Sequence, residues 1–458
     1  MMSVEQAIQK DTTAQNLAQA VLAEYFSEKQ VTYPINPFQM LTDYGVPFVF
    51  RAFTDKKYEG VYLPAQDDED IAIVGINMKR PITRQRYTAA HELCHHIKDS
   101  KSSQVCDIGS QSPIEKYAEN FAAELLMPVR EMKRQIQARA PEGFLRFDDV
   151  LSISEYFGVS FLSCLFRCAY KFHKIDGDTN SKKLKKRAVS YQAEKQRLEQ
   201  GYTHTLLYEQ IIDAGEQWMQ KVTPSDFIKS KYCNNYVFND SRLEGVDIDS
   251  AKVAEIVTDI RLRGANSPYC TEAHENEIAV AGHALMYEYL FMIKSDDKVD
   301  IYTMVRLHKK LFSCAPAPEF GGAFRKSNPL VTGAKFETID SSEVIPAIME
   351  LAPTVQNILE HRYEVSPSKY IEQITELHHR LTVIHPFGDG NGRTTRAFLN
   401  LLLMRRGLLP IYIKVEEKEQ YRDALAKADM GDGLDELYEV VFKAILRAEA
   451  ELTETALL

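Results

Sequence analysis

His385-Pro386-Phe387-Gly388-Asp389-Gly390-Asn391-Gly392-Arg393-Thr394-Thr395-Arg396 is the stretch on which the reading of this chain turns. Before it, TELHHRLTVI carries Leu377, Leu381 and Ile384 at the spacing of one helix face; after it, TTRAFLNLLLM is helical again. A helix, a glycine-rich loop and a second helix present backbone N–H groups and a positive dipole end to an anion. Arg393 and Arg396, three residues apart, project from one face toward that anion. A histidine beside such a loop suits a general base in phosphoryl or nucleotidyl transfer, and Asp389 suits a Mg2+ ligand. A glycine-rich cap with surface arginines would leave these agreeing positions unexplained.

The string resembles the motif of the Fic family, H-x-F-x-[DE]-G-N-G-R-x-x-R, at every specified position, and the similarity extends through about 240–445. Segment 321–340 (GGAFRKSNPLVTGAKFETID) is rich in Gly and β-formers, as a hairpin is, and looks like the region leading into the family's target-binding flap. The resemblance implies an all-α Fic domain with a β-hairpin flap that moves AMP from ATP to a Ser, Thr or Tyr hydroxyl of a protein target. It implies that His385 deprotonates that hydroxyl, that Asp389 holds Mg2+ against the α- and β-phosphates, and that Gly388, Gly390, Asn391 and Gly392 line the nucleotide. Arg393 and Arg396 would grip the β- and γ-phosphates, and Phe387 would anchor the loop in the core. Removal of AMP by the same site is the alternative.

Many Fic proteins carry [ST]-x-x-x-E-[GN], whose glutamate pairs with the second motif arginine and blocks productive ATP binding. Thr271-Glu272-Ala273-His274-Glu275-Asn276 matches literally; Asp240-Ser241-Arg242-Leu243-Glu244-Gly245 has Asp where Ser or Thr is usual. The order downstream of Gly245, a helix over roughly 251–263 and then ENEIAVAGHALMYEYL, is that of Fic proteins with an N-terminal inhibitory helix. Glu244, on a helix near 235–246, is therefore the expected inhibitory residue, and Glu275 a first-turn acid that favours a helix dipole.

A second constellation lies upstream. Arg86 to His96 contains HExxH, which on a helix puts His91 and His95 on one face, where two imidazoles bind zinc while Glu92 reaches the bound water. A catalytic zinc needs one more donor and an open position. The next helix offers Glu115, Glu119 and Glu124, and Ser112-Pro113-Ile114-Glu115 also reads as a capping box in which Glu115 only satisfies a backbone N–H. RQRYTAAHELCHH followed by EKYAENFAAELLMP resembles the ImmA/IrrE metallopeptidases over roughly residues 15–170, with Glu119 where that family usually has Asn. The resemblance implies zinc held by His91, His95 and Glu115, with Glu92 as general base, and a protein substrate such as a repressor or the chain itself. A recognition module controlling the Fic domain would use the same ligands.

At 458 residues the chain is about three domains of ~150 long, and 45% hydrophobic content sustains sizeable cores. The net charge of -10 argues against a nucleic-acid coat. No apolar run approaches the ~20 residues of a membrane span and no signal peptide is evident, which points to the cytoplasm without membrane or direct nucleic-acid partners; a homo-oligomer stays open. Seven scattered cysteines without a CxxC pair read as reduced thiols. The expected architecture is multidomain: an α+β zinc-peptidase-like domain over 1–173, a polar basic linker over 174–200 with Lys182, Lys183, Lys185, Lys186 and Arg187, and the Fic domain over 201–458. VLSISEYFGVSFLSCLF (150–166) suggests a helix-turn-helix, but reads better as amphipathic core helices. By association, the families imply stress-response or toxin–antitoxin biology.

Overall fold

A computed structural model of the chain describes residues 2–55, 57–67, 70–99, 104–107, 112–177, 179–216, 226–271, 273–315, 318–328 and 338–456. The chain divides into two compact units, Met1–Trp218 and Met219–Leu458.

The first unit opens with helices α1 (Val4–Gln9), α2 (Ala14–Tyr25) and α3 (Pro37–Asp43). Strands β1 (Phe48–Arg51), β2 (Tyr58–Leu63) and β3 (Ile73–Asn77) follow, then α4 (Ile82–Lys98), β4 (Gln104–Asp107) and α5 (Pro113–Leu126). The sheet order is β1-β3-β2-β4, with β1 parallel to β3 and the other pairs antiparallel. The sheet bears out the α+β expectation for this domain, with β1, β2 and β3 before residue 80 and β4 after α4. Helix α4 lies on the sheet, and Gly60 of β2 permits the approach: a Cβ there would stand 2.4 Å from Thr88 Cγ2 and 2.6 Å from Glu92 Oε1. Helix α4 therefore presses its HExxH turn directly against backbone.

Helices α6 (Val129–Arg139), α7 (Phe147–Phe157) and α8 (Phe161–Tyr170) follow. The α7–α8 pair bends by 114° and buries Val150, Leu151, Ile153, Phe157, Cys164 and Leu165, as core helices do. Among the described residues no single helix is long and apolar enough to cross a membrane.

The polar segment 174–200, expected as a solvated linker or helix, forms α9 (Ser181–Tyr191) and α10 (Ala193–Glu199), and α11 (Thr205–Gly215) completes the first unit. Its composition conceals an amphipathic face. Leu184 is buried, Tyr191 stacks on Phe161 at 5.0 Å, and Lys185 and Arg187 lie over the rings of Phe166 and Phe147 at 5.9 and 5.2 Å. Residues 205–215, expected with the second domain, are tied to the first by Arg86. Its buried guanidinium donates to Gly158 O, Ile35 O and Gln210 Oε1, and burial pushes its pKa down to about 9.

The second unit comprises α12 (Asp226–Leu243), α13 (Ser250–Arg263), α14 (Glu275–Met292), α15 (Ile301–Leu311), α16 (Val344–Glu360), α17 (Pro367–Ile384), α18 (Asn391–Arg406), α19 (Lys418–Asp429) and α20 (Asp435–Ala456). Ion pairs Lys252–Glu277 and Arg261–Glu288 run α13 and α14 parallel. The expected flap hairpin over 321–340 falls largely on residues 329–337, outside the described residues. Its base is described: Phe324 bridges Phe387, and Arg325 donates to His385 O at 2.8 Å. The cysteine expectation is corrected at one pair. Cys270 and Cys314 form a disulfide with Cα atoms 4.5 Å apart, a pairing across 44 residues that spacing cannot announce because packing of α14 on α15 creates it. Cys94, Cys164, Cys168 and Cys233 are free and buried.

Candidate functional site

In the first unit, His91 and His95 leave one face of α4, one turn apart, and meet Glu115 from the first turn of α5. His91 Nε2 lies 3.1 Å from Glu115 Oε2 and 3.1 Å from His95 Nε2, and His95 Nε2 lies 3.4 Å from Glu115 Oε1. Donors bound to one tetrahedral cation at ~2.0–2.1 Å stand about 3.3 Å apart, so the two imidazole nitrogens and the Glu115 carboxylate, one oxygen toward each ring, lie at spacings that fit zinc. The capping-box alternative for Glu115 is not taken up, since Ser112 makes no side-chain cap bond. Glu124 is buried elsewhere, in an ion pair with Arg167 and accepting from Gln19 Nε2. Glu119 is exposed, on the turn after Glu115.

Burial alone would raise the Glu115 carboxyl, but bonds from His91 and His95 bring it down to about 2. Glu92 is driven the other way, well above the ordinary carboxylate range, by burial and then by the charge of Glu115. Among the described residues both Glu92 oxygens are buried without a hydrogen-bond partner, the signature of a group that awaits a cation and its water. Asp99, which the motif reading missed, places Oδ2 3.3 Å from His95 Nδ1 and fixes that ring with Nε2 toward the centre. Its signal was a carboxylate one turn beyond HExxH.

In the second unit, α17 ends at His385 in the left-handed region (φ 51, ψ 60). This costly conformation for a non-glycine residue is held by Arg325 on the His385 carbonyl and by His385 N–H on Leu381 O at 3.1 Å. Burial, followed by the charge of Arg325, lowers the His385 pKa, so the imidazole is neutral near pH 7. Phe387 is buried, as expected of an anchor. It stacks on His308 at 3.7 Å with the rings 5° from parallel.

His308 was not legible beforehand. Its Nδ1 accepts from Gly322 N at 2.8 Å and its Nε2 lies 2.9 Å from Asp389 O, so one neutral ring ties the turn before the flap to the motif loop. Asn391 departs from expectation: its side chain accepts from Phe387 N at 2.9 Å and donates to Phe387 O at 2.8 Å. The side-chain amide closes the loop. Gly388 and Asp389 are exposed. Asp389 Oδ1 accepts from Gly390 N at 2.6 Å, and Oδ2 lies 3.4 Å from Arg393 Nη2. An outward carboxylate beside an open helix N-terminus fits a hard cation and its polyphosphate.

Arg396 is engaged by two carboxylates of α12 and the residue after it. Nε donates to Asp240 Oδ1 at 3.0 Å and Nη2 to Glu244 Oε1 at 2.6 Å. Burial would raise both carboxyls, but Arg396 outweighs it and holds them below the usual range. The Glu244 carboxylate sits in the first turn of α18, where a Cβ on Gly392 would be 2.5 Å from Oε1. Glu275, by contrast, is exposed in the first turn of α14.

Residues 41–169 match a peptidase family model described as an IrrE N-terminal-like domain, and residues 298–403 match the Fic/DOC family. The chain joins an IrrE-like domain to a Fic domain. Curated relatives of the Fic domain include "Protein adenylyltransferase fic-1" of Caenorhabditis elegans, 26% identical over 43% of this chain and 37% of that protein. "Protein adenylyltransferase Fic" of Aedes aegypti is 29% identical over 41% and 36%. The chain thus spans 37% and 36% of the length of these relatives. Among solved structures, C. elegans Fic-1 aligns at TM-score 0.44 and 19% identity, over 71% of this chain and 94% of that one.

Proposed function

We propose that the Fic domain transfers AMP from ATP to a Ser, Thr or Tyr hydroxyl of a protein target, and that Glu244 restrains it. His385, neutral and held by Arg325, takes the proton of the incoming hydroxyl. Loop amides at Gly388 and Gly392 and the α18 N-terminus bind phosphate oxygens, while Arg393 and Arg396 neutralise the β- and γ-phosphates. Asp389 would hold Mg2+, which when bound neutralises the polyphosphate. The observation that carries the reading is the Glu244 carboxylate on Arg396 in the first turn of α18, an anion in the seat of an anion. The relatives named adenylyltransferase support it. Labelling with α-32P ATP, comparing wild type, Glu244→Gly and His385→Ala, tests it.

For the IrrE-like domain we infer zinc-dependent peptide hydrolysis acting on a regulatory protein or on the chain itself. His91, His95 and Glu115 would hold the ion, which when bound lowers the pKa of its water and polarises a scissile carbonyl. Glu92, buried against the site and without a partner, is placed to take the proton of that water and pass it to the leaving amine. Metal analysis together with cleavage of candidate repressors tests this reading.

A further inference from the structure

The two carboxylates on Arg396 differ in kind. Asp240 is 2% exposed and receives the Nε–H, whereas Glu244 is 32% exposed and receives a terminal N–H of Nη2. Nε carries one hydrogen, close to the chain; Nη1 and Nη2 carry two each at the far end. Asp240 therefore uses none of the donors that reach outward from the guanidinium.

Asp240 has a buried histidine beside it. His283 Nε2 lies 3.5 Å from Asp240 Oδ2, and Ser241 Oγ lies 3.3 Å from His283 Nδ1. Burial keeps His283 neutral, which assigns Ser241 O–H as donor to Nδ1 and Nε2–H as the side facing Asp240. The hydroxyl of Tyr421 also engages Arg396, and His378 Nε2 lies 2.7 Å from that hydroxyl. A serine or threonine at 240 would supply no charge, so this chain has placed a buried counter-ion where the Fic inhibitory pattern has none.

We propose that Asp240 is a positioning residue for the nucleotide's polyphosphate: it holds Arg396 by Nε, with Nη1 and Nη2 directed at the β- and γ-phosphates, and keeps that hold when Glu244 withdraws. The inference rests on the nucleotide-binding reading of the Fic site. Glu244 is the removable occupant and Asp240 the fixed one. Without Asp240, a guanidinium 9% exposed loses its buried counter-charge and its orientation.

The test compares full-length Glu244→Gly with the doubles Glu244→Gly/Asp240→Ala and Glu244→Gly/Asp240→Asn, by calorimetric titration with Mg·ATP and by steady-state AMP transfer. Asp240→Ala is expected to weaken ATP binding and raise KM for ATP roughly tenfold or more, with kcat within about threefold. Asn retains an oxygen that accepts from Nε–H but no charge, so Asp240→Asn is expected to raise KM less than Asp240→Ala while remaining above Glu244→Gly. A merely structural role would lower the active fraction, and with it kcat, and would leave KM unchanged. Should Asp240→Ala fail to fold, Asp240→Leu, which fills the space without an acceptor, is expected to show the same KM loss. ATP binding by the Ala or Leu double as tight as in Glu244→Gly, or tighter, overturns the proposal. Glu244→Gly that binds Mg·ATP but transfers no AMP overturns the transfer reading instead, while the binding comparison still decides on Asp240.

Discussion

Arg396 Nη2 donates to Glu244 Oε1 across 2.6 Å, although the two residues are 152 positions apart in the chain. On the function proposed above, the bond would withhold a donor from the γ-phosphate and set a carboxylate against it. Glu244→Gly removes both effects and is expected to raise AMP incorporation about tenfold or more, since close charge pairs couple by ~1.5 kcal/mol and upward. Self-modification under α-32P ATP is the readout. Activation by Glu275→Gly with none by Glu244→Gly would show that the restraint lies on α14.

His385→Ala, made in the Glu244→Gly background, is expected to abolish AMP transfer while ATP affinity stays within about threefold, because the imidazole acts on the hydroxyl and not on the phosphates. The lowered pKa of His385 also has a sign. A base must be neutral to work, so the acid limb of the kcat/KM profile should fall below the ordinary histidine value of ~6.5. An acid limb above 7 would remove His385 from the role.

Loss of one zinc donor of three is expected to empty the first unit of metal. Glu115→Ala should bind none in atomic absorption, Glu119→Ala should keep one equivalent, and Asp99→Ala should lower affinity about 10- to 100-fold by freeing His95. Full zinc in Glu115→Ala with loss in Glu119→Ala would reassign the third ligand.

The carboxyls of Asp240 and Glu244 titrate lower in the folded protein than in the unfolded chain. A depressed carboxyl contributes stability that is fully present above the unfolded value near ~4 and is lost as pH falls through the folded value. Melting of the second unit should therefore show an acid limb below about pH 4 that is shallower in Glu244→Gly. Identical limbs would mean that the pair carries no linkage.

Arg86→Ala strands Gly158 O, Ile35 O and Gln210 Oε1, which the guanidinium now satisfies. Denaturant unfolding of the first unit should show a loss of about 3 kcal/mol or more, since each buried acceptor left unpaired costs ~1–3. A loss under about 1 kcal/mol would mean that water takes the place of Arg86.

The chemistry of both sites was legible because it lies in short strings: HExxH puts two imidazoles on one face of α4, and the glycine loop opens α18. Glu244 was legible from order along the chain despite the acid at 240. What the acid does was not, because only the fold brings Asp240 to Arg396, 156 positions away. Asn391 was read as lining the nucleotide since a side-chain amide in a cradle looks available, and a local bond within the loop spends it on Phe387, four residues back. The basic run 182–187 looked solvated because cations hide the apolar face on which Leu184 and Tyr191 dock.

Gly392 lines the nucleotide loop, yet the space a Cβ would fill there is held by Glu244 Oε1 at 2.5 Å and Arg396 Nη1 at 2.8 Å. On the proposed function, the restraint and the nucleotide loop would therefore share one volume. If Glu244 restrains the site as proposed, a side chain at 392 would displace it and crowd the loop in the same step, so substitution there is expected to give no enzyme that is both released and competent. Escape from restraint has to begin on α12 or at its end, where Glu244 can be lost without touching the loop, and unregulated variants should cluster there.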